Sequence, residues 1–141
     1  MTATIAQALT EITQVLTNGF AGTIIVPNDD KTPPDAHDVV WAQIRFEHTS
    51  RGQASLSNEN GKRRWGSDGI CTIQLNFPYG KGVKMPYDEA ERIARLYEGK
   101  RTPSDVWFRN VTVVEVPTPT APKPKHFRLD VVFEFQYDSV N

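Results

Sequence analysis

The chain has one cysteine in 141 residues, Cys71, so no internal disulfide can brace it. It has no excess of charge of either sign: 16 Lys and Arg stand against 17 Asp and Glu, a net charge of −1. That balance provides no overall field to hold a polyanion or a membrane surface, and a nucleic-acid binder usually carries a clearer basic stripe. Long apolar runs are missing too. The opening MTATIAQALTEITQVL has no basic start and is interrupted by Gln, Glu and Thr, which excludes a signal peptide and a membrane span. The expectation is a chain that starts near Met1 in a cytoplasm and has no membrane partner.

The chemistry-bearing patterns are equally sparse. The three histidines, His37, His48 and His126, fall in two loops and at a strand end, so none meets a nucleophile in a recognisable triad. There is no Gly-x-Ser-x-Gly, no dinucleotide glycine fingerprint and no Walker loop. Gly80-Lys81-Gly82 has no spaced glycine before it and reads as a flexible turn rather than a phosphate cradle. Asp29, Asp30, Asp35, His37 and Asp38 lack the central glycine and terminal glutamate of a calcium loop, so they read as a solvated acidic loop. A lone cysteine and scattered histidines supply no zinc pattern. The reading is a non-enzyme with no cofactor and no metal.

What is present is a core for one domain. Hydrophobic residues make up 38% and charged residues 23%, with a mean hydropathy of −0.47, the balance of a globular chain with a polar exterior. Ile5, Ala8, Leu9, Ile12, Val15 and Leu16 recur at three and four, with Thr2 or Thr4 to cap and Asn18-Gly19 to stop, and predict a helix. A short β-branched run at Thr23–Val26 leads into a polar loop, Asn28–Asp38. Val40, Ala42, Ile44 and Phe46 alternate with Trp41, Gln43, Arg45 and Glu47 as a half-buried strand, and a weaker strand is expected over Gln53–Ser57.

Cys71, Ile73, Leu75 and Phe77 share one face of a strand over Ile70–Phe77, which makes Cys71 a buried small hydrophobe. Pro78–Pro86 reads as a loop. A second helix begins at Tyr87, with Asp88 and Glu89 near its positive end and Gly99 closing it. A strand over Val106–Val116 precedes the proline-rich connection PTPTAPKPKH, and Phe127–Tyr137 alternates most regularly of all. These elements predict a single α+β domain over 1–141: a mainly antiparallel or mixed sheet with two helices on one face.

Two basic segments are the candidate contacts. The turn Asn58–Trp65 holds Lys62, Arg63, Arg64 and Trp65, and the Pro78–Pro86 loop holds Lys81 and Lys84, each beside an aromatic residue. They read as subunit or partner interfaces, with the acidic Asn28–Asp38 loop as a complementary surface. The alternative for the same residues is a small nucleic-acid-binding module.

The order of elements carries a resemblance. An N-terminal helix is followed by Trp41-Ala-Gln-Ile-Arg-Phe, by Arg64-Trp65-Gly66 after a basic turn, and by Phe77-Pro78-Tyr79-Gly80-Lys81-Gly82. A helix then ends at Tyr97-Glu98-Gly99-Lys100, ahead of Val106-Trp107-Phe108 and a closing Phe133-Glu134-Phe135-Gln136-Tyr137-Asp138. Over nearly its whole length the chain resembles the tail terminator family of long-tailed bacteriophages. The resemblance implies an α+β virion protein that forms a hexameric ring on the completed tail tube, at the head-proximal end of the tail. It implies three partners: copies of itself, the tail tube protein and a head-neck connector protein, with DNA passing through the lumen. Another head-tail connector, for head closure or tail completion, is the neighbouring alternative.

Overall fold

The computed structural model describes residues 3–28, 39–53, 64–117 and 126–140. The first helix, α1, spans Ile5–Gly19. Thr4 and Gln7 form a capping box: Thr4 Oγ1 accepts from the Gln7 amide at 3.1 Å, and Gln7 Oε1 accepts from the Thr4 amide at 2.9 Å. Two of the free amides at the helix start are thereby satisfied. The helix buries Ala8, Ile12 and Leu16. Ile5, expected on the apolar stripe, is instead exposed, because it sits in the first turn ahead of the buried ridge.

A three-residue strand, β1 (Thr23–Ile25), lies parallel to β2 (Trp41–Gln53). β2 pairs antiparallel with β3 (Arg64–Pro78), and β3 pairs along its whole length with β5 (His126–Val140). β4 (Trp107–Glu115) lies outside β5, giving one mixed sheet in the order β1-β2-β3-β5-β4. β2 is longer than the expected strand and absorbs Gln53, with an irregularity between His48 and Ser50 that lets pairing continue. Residues 54–57 of the weaker expected strand, most of the acidic loop (29–38) and residues 118–125 of the proline-rich segment lie outside the described residues.

The second helix, α2, spans Lys84–Tyr97, so it begins three residues before the expected start. Pro86 hides this from a sequence reading. In a first turn, however, the amide that proline lacks would have no intrahelical partner, so the ring is accommodated. Asp88 and Glu89 therefore belong to the second turn, and Tyr87 is exposed while Pro86 is buried. The end is as expected: Gly99, at φ 64, takes the left-handed conformation just past the helix.

One face of the sheet forms the core with both helices. Ala42, Ile44, Cys71, Ile73, Leu75, Phe77, Leu129, Val131, Phe133 and Phe135 are buried in a cluster with Ile12, Leu16, Ile93 and Tyr97. Tyr97 joins the layers: its ring stacks on Phe133 at 4.3 Å and meets Phe108 edge-on at 5.0 Å, while its hydroxyl donates to the Ile12 carbonyl at 2.9 Å. Cys71 has no solvent exposure, and burial pushes its thiol well above the usual range, so it is a small apolar filler rather than a nucleophile. No helix among the described residues is long and apolar enough to cross a membrane.

Candidate subunit and partner interface

The two basic segments stand at opposite ends of β3. Fifteen residues separate the ends, about 50 Å at roughly 3.4 Å per residue. They therefore form two surfaces, not one site. Lys62 and Arg63 lie outside the described residues, and Arg64 opens β3 with its backbone opposite Val140. Trp65 is not at a turn tip as expected. It is a half-buried strand residue opposite Gln53 and Ser139, with the Arg51 guanidinium 5.8 Å above its ring. That contact places a cation over one face of the Trp65 ring.

The other segment is more informative. Gly80 and Gly82 have φ of 89° and 79°, which only glycine adopts without strain, so the chain turns sharply on either side of Lys81. The turn leaves Tyr79, Val83, Met85 and Tyr87 outside the core, with Val83 57% and Met85 49% exposed. Four of the seven large hydrophobics that the described residues expose thus fall within nine positions, interleaved with Lys81 and Lys84. A cluster of this kind calls for an explanation, whereas scattered single exposures do not.

Lys84 is the first residue of α2, and it is not a loop residue as expected. A cation there opposes the helix dipole. Asp88, one turn on, accepts from its Nζ at 2.8 Å, and this hydrogen bond raises the lysine pKa. Both side chains are exposed, so the pair adds little to stability and stays open to exchange for a partner's carboxylate. Lys81 projects from the turn beside it, and Arg92 borders the same depression. Met85 also overhangs a groove of about 310 Å³ lined by Phe20, Gly22, Val40 and Phe77. Gly22 shapes that groove: a Cβ there would lie 2.6 Å from the Val40 carbonyl oxygen.

Tyr79, Val83 and Met85 were not singled out from sequence. The signal was present as bulky apolar residues in a segment with no burial period, beside two glycines. Trp107 was likewise missed. It stands exposed on the outermost strand with the Arg101 guanidinium 4.1 Å from its ring. Among the described residues no group of three or more His, Cys, Asp or Glu is placed to hold a metal. The acidic residues from Asp29 to Asp38 lie outside them.

No protein-family model matches the chain, and no curated protein matches it. A solved structure superposes on it with a TM-score of 0.52 over 92% of this chain and 94% of its own, at 12% identity. That likeness concerns the fold alone.

Proposed function

We propose that this chain is a bacteriophage tail terminator, a structural subunit that caps the finished tail tube as a ring, stops its polymerisation and presents the surface to which the head joins. The observation that carries the reading is the Tyr79–Tyr87 surface, which combines exposed apolar side chains with Lys81 and a loosely held Lys84. The order of sequence elements supports it, as does an α+β sheet packed by helices on one face only. The role calls for docking surfaces of both signs and for no catalytic group. On this reading the tail tube protein and a head-neck connector protein are the partners, DNA passes through the lumen, and the protein resides in the virion.

The test is reversal of charge at both basic surfaces, Lys81→Glu with Lys84→Glu, and separately Lys62, Arg63 and Arg64 to Glu. Glutamate at position 84 suits the helix start better than lysine does, so the first variant keeps its fold by circular dichroism. In infected cells the expected phenotype is tails of abnormal length or tails that fail to join heads. Normal tails joined to heads in both variants refute the proposal.

A further inference from the structure

The sheet has two margins, and they match each other. β1 covers only Trp41, Ala42 and Gln43 of β2; from Ile44 onward no strand lies beside the outer edge of β2 among the described residues. The outer edge of β4 is likewise open past Trp107, where Arg101 forms an isolated bridge. Unpaired backbone groups along such edges can template further pairing.

The register shows how they fit. On the face away from the helices, Glu47 of β2 lies beside Ile70, then Glu134, then Arg109 of β4: one row across the sheet with an acid at one margin and a base at the other. On the helix side, the adjacent row of Phe46, Cys71 and Phe133 meets an irregularity of β4 between Arg109 and Thr112, and two rows beyond it Ile44 aligns with Ile73, Val131 and Val113. Phe46 and, at the other margin, Val111 and Val113 are only partly buried. Phe46 also borders a groove of about 530 Å³ between β2 and α1, lined by Ile5, Leu9, Val26 and His48. β4 runs opposite in direction to β2, since each antiparallel step from β2 through β3 and β5 to β4 reverses the sense.

We infer that the occupant of each edge is a second copy of this chain: β4 of one copy pairs antiparallel with β2 of the next, Arg109 opposite Glu47. The side chains of Val111 and Val113 then meet the Phe46 margin and its groove. Because Glu47 and Arg109 already share a row, that row can continue from one copy to the next. A repeated head-to-tail interface of this kind generates a ring where its rotation closes.

The inference takes its biological setting from the ring reading, but its test uses the purified full chain alone. Glu47→Cys and Arg109→Cys, both exposed sites, are prepared separately and mixed under mild oxidation. A disulfide-linked pair is expected in the mixture and in neither variant by itself. In sedimentation, Glu47→Arg and Arg109→Glu should each weaken self-association by about tenfold, and the double reversal should restore it. Self-linked pairs in a single variant at the rate of the mixture overturn the proposal, as does a chain that sediments as a monomer at every concentration. Assembly through these edges without tail capping refutes the tail reading and leaves the edge pairing standing. Capping by a chain whose assembly ignores both reversals does the opposite.

Discussion

Phe133 and Glu134 are neighbours on β5 that point to opposite faces, and they provide a direct check on the register of the whole sheet. Phe133 is 1% exposed, with Tyr97 stacked on it and Phe108 edge-on at 5.3 Å. Truncation to alanine loses the transfer free energy of the ring and leaves a cavity that two other rings cannot fill. The cost is about 3–5 kcal/mol, to which the aromatic pairs add their share. Glu134 lies on the opposite face, where it accepts from the Asn110 side-chain amide; both groups reach water, so Glu134→Ala should cost under about 1 kcal/mol. A domain of 141 residues unfolds with an entropy of about 0.3 kcal/mol/K. Phe133→Ala should therefore lower Tm by about 10–17 °C and Glu134→Ala by less than about 4 °C. Calorimetry on the two variants reads both values. The opposite ranking would mean that β5 is displaced by one residue against β3, which would turn every core side chain to the outer face.

Gly69 faces the core under the ring of Phe135, and a Cβ there would lie 2.3 Å from Phe135 Cζ and 2.7 Å from the Glu47 carbonyl oxygen. Gly69→Ala should thus cost about 1–3 kcal/mol in denaturant melts, with part recovered by Phe135→Leu; a neutral Gly69→Ala would contradict the close approach. Glu11 takes two hydrogen bonds from Ser104, at 3.0 Å from its amide and 2.5 Å from its hydroxyl. Partial burial works to raise the Glu11 pKa, but the Ser104 and Thr102 hydrogen bonds outweigh it and hold the carboxyl below its ordinary 4.5. A depressed folded pKa contributes stability above the unfolded value, and that contribution is lost as pH falls through the folded value. The wild type should therefore exceed Glu11→Gln in stability at pH 7, with the gap closing from about pH 4.5 downward. A gap that widens in acid would refute the assignment.

Burial was legible where periodicity was complete. Cys71, Ile73, Leu75 and Phe77, and the alternation from Phe127 to Tyr137, marked the core strands because β3 and β5 lie inside the sheet, with a strand on either side. The start of α2 was not legible: Pro86 and the glycines before it read as punctuation, and only the placement of Pro86 in an unpaired first turn reconciles them with a helix. The candidate site was half legible. Charge drew attention to Lys81 and Lys84, while the apolar members Tyr79, Val83 and Met85 carry no pattern that separates an interface from a core until the fold shows which are exposed. Trp65 read as part of a turn, yet it is a strand residue whose ring meets Arg51 of β2, a neighbour too distant in sequence to be foreseen.

The face of the sheet turned away from the helices bears on the nucleic-acid alternative. Its charged residues among those described include Arg45, Arg109 and Arg128, set against Glu47, Asp68, Asp130, Glu134 and Asp138. Arg128 is engaged by both oxygens of Asp130, at 2.9 and 3.0 Å, and Arg109 lies 4.0 Å from Asp68. A phosphate backbone laid here would meet a carboxylate beside Arg109 and beside Arg128, which lowers the counterion release expected on binding. Among the described residues, the cations of the Pro78–Pro86 segment are Lys81, which is exposed, and Lys84, which Asp88 already engages. An affinity for DNA that falls steeply with salt needs several free cations in a line. Mixed charge around exposed Val83, Met85 and Tyr79 suits recognition of a protein surface, where opposite signs set register and the apolar side chains supply the contact area.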